Sequence, residues 1–491
     1  MNLTHTSPES RRSFVKKSAS LALSAASVPD WFVRPTEPSV YQAMGTRVGD
    51  VTDHSAIVWT RLTAVATRND KGVVIPGRAQ NYKDTELPTV KVPVEQLEGA
   101  CPGAAGFVRL RYGTDAALNK TQTTDWVSVS ESTDFIHQFP LNDLKPDSTY
   151  YYASESTVQK GKQPITTAKG KFRTAPLPNT PSDLRFCLMT CQGYPDRDHK
   201  DGHNIYPAMQ ALNPHFACLT GDLVYYDNDM PRAYTPRLAR YHWERMFSLP
   251  RLVEFNRNVG TYWLKDDHDT LDNDSSPGSS MGEFTFAEGQ RIFHQQAPMT
   301  TGLSYRTFRW GKDLQIWLTD GRDFRSDNDM PDGPDKTIWG SAQKEWFRKT
   351  VSESSATWKV LISPTPLVGP DRGKKNDNHA NTGFTHEGDE IRNWLKANVP
   401  DNFFVICGDR HWQYHSVHPK TGLHEFSIGP ASDEHASGSP GEDKAYHRFH
   451  LVKGGFLSVD IKRVGGKSQI AFHHHDVFGK IVYEWQTERV V

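Results

Sequence analysis

The chain has 491 residues, which is more than one compact hydrophobic core usually holds, so two domains are expected. Its 57 Lys and Arg residues balance its 58 Asp and Glu residues, which argues against a nucleic-acid or other polyanion partner and against an acidic solvating tail. The 13 Trp, 17 Tyr and 24 Phe residues indicate an ordered globular protein, because disordered chains are poor in aromatic residues.

Residues 1–30 have the composition of an export signal. Arg11 and Arg12 precede a stretch of small and mildly apolar residues, 18–28. Paired arginines before a modest apolar run are typical of a twin-arginine signal, and a disordered basic tail is the alternative. The run is too short to span a bilayer, and no later stretch approaches twenty apolar residues, so no transmembrane anchor is predicted. We therefore expect the twin-arginine export machinery to deliver the protein to the periplasm or outside the cell.

Residues 38–175 have an all-β pattern. Short alternating runs, such as 55–60 and 107–112, are separated by polar stretches rich in turn residues. Residues 144–152 are similar to the loop and late strand of a fibronectin-type sandwich, with a Tyr near the start of the strand. We predict a fibronectin-like β-sandwich domain, followed by a stiff linker with three prolines at residues 175–182.

Residues 183–491 alternate between strand-like and helical runs. The predicted strands are residues 184–190, 215–220, 259–264, 314–319, 359–362, 403–407, 424–428, 456–461 and 469–473. The predicted helices are residues 204–212, 235–249, 282–296, 341–354 and 388–399. This alternation predicts an α/β domain in which a pair of sheets lies between helices.

The five cysteines are few and odd in number for a disulfide scaffold. Cys187, Cys218 and Cys407 lie within apolar strand runs, where a free cysteine behaves as a small core residue. Cys191 differs because it ends its predicted strand, and we expect it at a strand tip.

Four predicted strands end in residues that can bind metal ions. In open α/β sheets, ligands collect beyond the carboxyl ends of the strands. The residues are, strand by strand, Cys191; Asp222 and Tyr225; Asp267, His268 and Asn273; and Asp409 with His411. One acidic residue after a strand is commonplace, whereas four such strand ends together predict a metal site.

The residue types indicate which ions the site binds. Asp222 can bridge two cations, and a phenolate at Tyr225 favours Fe(III) over Zn, because a trivalent ion is needed to ionise a phenol at neutral pH. The cysteine thiolate can join the same ion. Oxygen donors at Asp267, Asn273 and Asp409 suit a harder ion such as Ca²⁺. Two neighbouring ions clamp a phosphate and lower the pKa of a bridging water.

His268 has carboxylates as neighbours and is placed to protonate the leaving alcohol. Arg322, together with Arg372, Lys374 and Lys375, is a candidate for orienting a phosphate, although solvated loop cations are the commoner case.

Each ligand assignment has a structural alternative. Cys191 is otherwise a buried thiol, the two Gly-Asp aspartates are turn residues, and Tyr225 is a packed aromatic. The run 473–475 consists of histidines, but side chains in a strand alternate between faces, so shared metal binding is not expected there.

Five motifs, in this order, resemble those of the PhoD-type alkaline phosphatase family of calcineurin-like metallophosphoesterases. They are Thr190-Cys191-Gln192, Gly221-Asp222 with Tyr225, Asp266-Asp267-His268-Asp269, Asp320 with Arg322, and Gly408-Asp409-Arg410-His411. Residues 45–61 are similar to the family's N-terminal sandwich. The third motif departs from the usual form, because Asp269 stands where Glu is more common and Asn273 lies further along.

The resemblance implies an αββα metallophosphoesterase sandwich preceded by the fibronectin-like domain, and hydrolysis of phosphate monoesters or diesters. It implies Fe³⁺ held by residues matching Cys191, Asp222, Tyr225 and His411. It also implies Ca²⁺, or another divalent metal, held by Asp222 and Asp409 with either Asp267 or Asn273.

Two other functions remain open from the sequence. A purple-acid-type phosphatase also pairs a β-sandwich with a Tyr-bound iron, but it needs a His-rich fourth motif and an Asp at the position of Cys191. A surface binding protein without catalysis could keep the same fold, although a degenerate site should have lost several of its carboxylates.

Overall fold

The computed structural model describes residues 39–77, 90–302, 304–399 and 401–491. The export signal predicted at residues 1–30 lies outside these described residues and stays a prediction. Among the helices that are described, none is long and apolar enough to cross a lipid bilayer.

The N-terminal part is built from β-strands. They are β1 (Thr46–Gly49), β2 (Ala56–Arg61), β3 (Gly106–Gly113), β4 (Gln122–Thr123), β5 (Val127–Val129), β6 (Ile136–Leu141), β7 (Thr149–Thr157) and β8 (Thr166–Arg173), with short 3₁₀ turns at Val94–Gln96 and Glu131–Thr133. Strands β3, β7 and β8 form one layer with β4 and β5, and β1, β2 and β6 belong to another sheet. Apolar side chains from both layers, among them Val58, Leu110, Phe139 and Tyr152, share one core.

The tyrosine predicted near the start of a late sandwich strand is Tyr150, in β7. Its hydroxyl accepts the backbone N–H of Lys145 at 2.8 Å, and its ring stacks on Phe172 with centroids 5.6 Å apart. A Tyr that fixes the chain a few residues upstream in this way is typical of fibronectin-like sandwiches.

The rest of the chain alternates strands and helices. The strands are β9 (Leu184–Met189), β10 (Phe216–Thr220), β11 (Gly260–Leu264), β12 (Ser280–Met281), β13 (Phe284–Thr285), β14 (Arg306–Trp310), β15 (Leu314–Leu318), β16 (Trp358–Ser363), β17 (Phe403–Cys407), β18 (Gln413–Val417), β19 (His424–Ser427), β20 (His447–Leu451), β21 (Phe456–Val464), β22 (Lys467–His475) and β23 (Ile481–Val490). The helices are α1 (Ile205–Ala211), α2 (Pro236–Phe247), α3 (Pro250–Asn258), α4 (Phe286–Gln296), α5 (Gly340–Glu353) and α6 (Thr385–Asn398).

These strands form two large sheets that face each other. One sheet has the order β23-β22-β21-β9-β10-β11-β1-β2-β6, and the other has the order β14-β15-β16-β17-β19-β18-β20. Alternate residues of both sheets, such as Phe186, Phe216, Ile316 and Ile406, pack together in the layer between them. The opposite faces are covered by α1–α4 on the first sheet and by α5 and α6 on the second. The predicted αββα sandwich is thus confirmed.

The sandwich and the α/β part share a sheet. Strand β1 pairs in parallel with β11, with Val48 opposite Gly260, so β1, β2 and β6 continue the first large sheet. The alternation of residues within one strand predicts its faces but does not reveal which distant strand it pairs with.

In two places the helix predictions miss a separate element of the structure. The helix predicted at 282–296 begins only at Phe286, because residues 280–285 form the β12–β13 hairpin. The helix predicted at 235–249 ends at Phe247, and a further helix, α3, starts at Pro250. Pro250 occupies the first helical position, where proline is favoured because its missing N–H would have no partner there.

Candidate metal centre

The predicted site residues meet where parallel strands of both sheets end. Strands β9, β10 and β11 run parallel in the first sheet, and β15, β16, β17 and β19 run parallel in the second. The loops that follow the first three strands are joined by backbone hydrogen bonds. Cys191 N–H donates to Gly221 O at 3.3 Å, and Gly221 N–H donates to Leu264 O at 3.1 Å.

Three site residues have a backbone conformation that is uncommon outside glycine. Cys191, Asp222 and Asp409 have φ angles of 51°, 55° and 62°. Left-handed conformations at such residues cost of the order of 1–3 kcal/mol each and persist where the surrounding structure enforces them. The backbone next to Asp409 is packed this tightly, because a Cβ atom on the preceding residue, Gly408, would lie 2.5 Å from Thr220 O. These sharp turns direct the side chains of the three residues toward the shared ligand groups.

The first group of ligand atoms is a chain of short contacts around Asp222. Its Oδ2 lies 3.4 Å from Cys191 Sγ and 3.3 Å from the Tyr225 hydroxyl, which lies 3.5 Å from His411 Nε2. Ligand atoms of Cys191, Asp222 and His411 all lie within 4.8 Å of one another. The structure therefore brings together all four residues predicted to hold iron.

Two further groups of ligand atoms also include Asp222. Its carboxylate lies within 4.8 Å of ligand atoms of Asp267 and His268, and within the same distance of those of Asp266 and Asp409. Asp222 is common to every such group among the described residues, as expected of a carboxylate that bridges two ions. Asn273 lines the adjoining cavity.

The chemistry of these residues fits bound cations. Asp222 Oδ1, Asp266 Oδ2 and Asp267 Oδ1 are buried and have no hydrogen-bond partner among the described residues. Burial raises the pKa of Asp222 well above its ordinary value, and burial with the neighbouring Asp222 does the same for the pKa of Cys191. Buried polar atoms without partners are costly, and a cation in their midst stabilises the ionised forms. The arrangement is therefore that of a metal centre.

A cavity of ≈ 430 Å³ opens above these ligands. Its lining includes His268, Arg372 and Lys375, which are donors suited to an anion, and also Trp412. Trp412 Nε1 is buried and has no hydrogen-bond partner in the described part of the chain. The cavity is thus lined by cationic donors as well as by carboxylates, a combination that suits a metal-bound phosphate.

His268 is held by Asp227. Its Nδ1–H donates to Asp227 Oδ1 at 2.7 Å. Burial lowers the pKa of His268, yet the charge of Asp227 and of two further carboxylates outweighs it, so the pKa lies well above the ordinary value. An imidazole that is fixed in this way at the cavity is placed to donate a proton to a leaving oxygen.

Arg322 does not reach the cavity. Its side chain is 0% exposed, its Nε donates to Asp266 Oδ1 at 2.5 Å, and its guanidinium lies 3.5 Å from Asp267 Oδ1. This position does not support the expectation that Arg322 orients a phosphate, because the guanidinium is paired with Asp266 and Asp267. Lys374, also considered for that role, is exposed and does not line the cavity.

No role is predicted from the sequence for Asp227, Asp266 or His435. Asp266 stands beside two assigned residues, and its buried carboxylate joins a ligand group. His435 lies in the loop after β19, which is parallel to β17, but eight positions beyond the end of the strand, so no residue pattern in the sequence marks it. Asp227 could not be found from the sequence either, because it lies in a loop and its contact is with the side chain of His268.

The histidines at 473–475 bind separate partners. His473 pairs with Glu484 at 3.0 Å, His474 Nε2 lies 3.0 Å from Ser427 O, and His475 Nε2 lies 2.8 Å from Ser458 Oγ. They form no common ligand group among the described residues, which agrees with the alternating faces of β22.

The sequence and the fold of the chain are similar to those of known phosphatases. The sequence model of the PhoD-like phosphatase family matches residues 186–490, and that of its N-terminal domain matches residues 34–176. Alkaline phosphatase D of Bacillus subtilis (strain 168) is 22% identical over 474 residues, covering 84% of this chain and 72% of that protein.

Two solved structures share the fold. A structure of PhoD superposes with a TM-score of 0.67 at 17% identity, covering 93% of this chain and 90% of the other. The purple acid phosphatase PPD1 of yellow lupin (Lupinus luteus) gives a TM-score of 0.58 at 12% identity, covering 91% of this chain and 74% of the other. Since both family models match in order and span most of the sequence, the chain belongs to the PhoD-like phosphatase family and is a metal-dependent phosphoric ester hydrolase.

Proposed function

We propose that this enzyme hydrolyses phosphate monoesters or diesters outside the cytoplasm, with Fe³⁺ and Ca²⁺ as its metals. The observation that carries the proposal is the convergence of a thiol, a phenol, an imidazole and several carboxylates on Asp222. The other described ligand groups all include the same residue, so the site offers two neighbouring positions of different chemistry.

The donor types support different metals at the two positions. Cys191 and Tyr225 are ligands that bind as anions, and a trivalent ion is the one that ionises a phenol at neutral pH. On its other side Asp222 has the carboxylates of Asp267 and Asp409, which belong to two separate ligand groups, and Asn273 lines the cavity. Hard oxygen ligands of this kind suit Ca²⁺.

The protein's own residues have defined tasks in such a reaction. Bound cations would supply positive charge that polarises the phosphate and favours deprotonation of the attacking water. Arg372 and Lys375 face the cavity and hold the phosphate oxygens. His268, fixed by Asp227, donates its proton to the leaving oxygen.

Metal analysis and substrate assays test the proposal together. Purified protein loaded with iron and calcium should hydrolyse p-nitrophenyl phosphate, bis(p-nitrophenyl) phosphate or both, and elemental analysis should find both metals. Iron with zinc, or two irons, would instead favour purple-acid-type chemistry. Absence of turnover of either ester in metal-loaded protein would contradict the proposed substrates.

A matched pair of variants tests the bridging role. Asp222→Ala should remove both metals and the activity. Asp313 is an equally buried aspartate, paired with Arg463 at 2.7 Å, and it belongs to no ligand group. Asp313→Asn should therefore leave both metals bound. Retention of both metals by the Asp222 variant would rule out the shared carboxylate.

Export is a separate part of the proposal and is supported by the paired arginines at the start of the chain. Replacing Arg11 and Arg12 with lysines keeps the charge and should retain the protein in the cytoplasm. Cell fractionation of the wild type and the double variant measures this directly. Equal amounts of both in the exported fraction would exclude the twin-arginine route.

A further inference from the structure

His435 lies at the metal centre without having an assigned role. It follows β19 in a loop, and it is 3% exposed. Its Nε2 lies 2.9 Å from the Tyr225 hydroxyl and 3.2 Å from His411 Nε2. Those two atoms are themselves 3.5 Å apart, so the three form a compact triangle.

The size of this triangle is that of ligand atoms around one ion. Bonds of about 2.0–2.1 Å that open at roughly 90–110° place their outer atoms ~2.9–3.4 Å apart. The contacts of Asp222 Oδ2 with Cys191 Sγ and the Tyr225 hydroxyl have similar lengths, 3.4 and 3.3 Å. His435 is not one of the three residues whose ligand atoms lie within 4.8 Å of one another, but its Nε2 adjoins that group through Tyr225 and His411.

The second nitrogen of the ring supports the same role. His435 Nδ1–H donates to Asp196 Oδ2 at 2.5 Å, and the imidazole side chain is 1% exposed. A carboxylate partner keeps the proton on Nδ1, so the lone pair of a neutral ring is on Nε2 and directed toward Tyr225 and His411. Metal-bound histidines commonly have this carboxylate–imidazole arrangement, which fixes the ring and raises its basicity.

We infer that His435 is a ligand of the ion held by Cys191, Asp222, Tyr225 and His411, and that Asp196 positions it. The inference rests on the proposed metal centre. It also agrees with the charges, because a thiolate, a phenolate and a carboxylate together balance a trivalent ion, and a second neutral imidazole adds a ligand without adding charge.

The test measures the metal itself. Wild type, His435→Ala and Asp196→Asn are loaded with iron, and iron release to a chelator is followed over time. We expect release at least about 10-fold faster in His435→Ala and a smaller acceleration in Asp196→Asn. X-ray absorption should count one nitrogen scatterer fewer in His435→Ala, and the visible band of the iron-bound tyrosinate should shift.

A matched control separates ligand loss from loss of a buried ring. His474 is as buried as His435 and hydrogen bonds to Ser427 O, away from the ligand groups. His474→Ala should keep the wild-type release rate and spectrum. In His435→Gly, added imidazole should restore both, which excludes misfolding as the cause of the change.

Two outcomes would overturn the inference in distinguishable ways. If the wild type binds iron and His435→Ala keeps its nitrogen count, band position and release rate, His435 is no ligand, while the iron proposal stands. If the wild type binds no transition metal in the first ligand group, the iron proposal and the inference fail together.

Discussion

Asp227 accepts the Nδ1–H of His268 at 2.7 Å, and its other oxygen accepts the backbone N–H of Asn273 at 3.1 Å. The side chain of Asp227 is 0% exposed. One buried carboxylate thus fixes both the proposed acid and the loop that carries a proposed metal ligand. This coupling makes the orientation of His268 depend on a residue that does not line the cavity.

Replacing His268 should impair the reaction according to its leaving group. His268→Asn removes the proton donor, and loss of a general acid costs roughly 10²–10⁴-fold in kcat. An alkyl phosphate, whose leaving oxygen needs a proton, should lose far more than p-nitrophenyl phosphate, whose leaving group is stable as an anion. Steady-state kinetics on both esters, with metal content measured in parallel, check this.

Asp227→Asn is the matched test of positioning. It leaves the imidazole in place but weakens its anchor, so we expect a smaller loss of kcat with the same leaving-group trend. An equal loss on both esters in either variant, accompanied by loss of metal, would mean that His268 and Asp227 stabilise the metal centre and do not deliver the proton.

Asp267 and Asn273 are alternative ligands of the proposed second metal, and the contacts of Asp267 favour it. Its Oδ1 is buried, has no hydrogen-bond partner among the described residues, and belongs to a ligand group with Asp222. Its Oδ2 is fixed by the backbone N–H of Asp274 at 2.7 Å. We predict that Asp267→Ala weakens calcium binding by more than about 10-fold and that Asn273→Ala weakens it less. Calcium titration of the iron-loaded variants measures both, and the reverse order would assign the ion to Asn273.

The sequence could predict the strands and the strand-end ligands because both depend on local pattern. A buried strand alternates or is continuously apolar, and a polar residue directly after it is visible in the sequence. Cys191, Asp222 and Tyr225 come together for this reason, since β9 and β10 end at one edge of the first sheet, and His411 joins them from the end of β17 in the facing sheet. His435 does not follow this rule, because it lies eight positions beyond the end of β19 and other polar residues precede it.

Other features depend on distant partners and could not be predicted. The pairing of β1 with β11 joins residues more than two hundred positions apart, which no local pattern records. Asp269 is a similar case, because its two oxygens accept the backbone N–H groups of Leu223 and Asp266 at 3.1 and 2.7 Å. Asp269 thus joins the loop of the second motif to the loop of the third. From the sequence alone, such a structural aspartate cannot be distinguished from a metal ligand.

Arg372 and Lys375 should act in substrate binding. Lys375 Nζ lies 3.3 Å from Asp274 and 3.1 Å from Asp377, and both cations line the cavity. A hydrogen bond to a charged group contributes ~1.5–3 kcal/mol, so Arg372→Ala or Lys375→Ala should raise KM about 10-fold or more. The exposed neighbour Lys374 provides the control, and Lys374→Ala should leave KM unchanged. If KM rises equally in all three variants, the substrate is attracted by the general positive charge of the surface and not by the two cations that line the cavity.

Stability in acid should depend on Glu387, at the start of α6. Its carboxylate accepts the backbone N–H of Ile338 at 2.5 Å and pairs with His379 Nε2 at 2.9 Å. Burial raises the pKa of Glu387, but the hydrogen bond from His379 and the further donors lower it, to about 2 from an ordinary 4.5. Burial also lowers the pKa of His379.

A carboxylate whose pKa falls on folding stabilises the folded state above its unfolded pKa, here 4.5, and loses that contribution as the pH falls toward 2. The contribution at neutral pH is about 3 kcal/mol. Glu387→Gln should therefore lower the melting temperature clearly at pH 7, and the difference from wild type should shrink as the pH falls from 4.5 toward 2. The exposed Glu353→Gln serves as the control and should match the wild type throughout. A difference between wild type and Glu387→Gln that stays constant with pH would show that the pairing with His379 does not depend on the charge of Glu387.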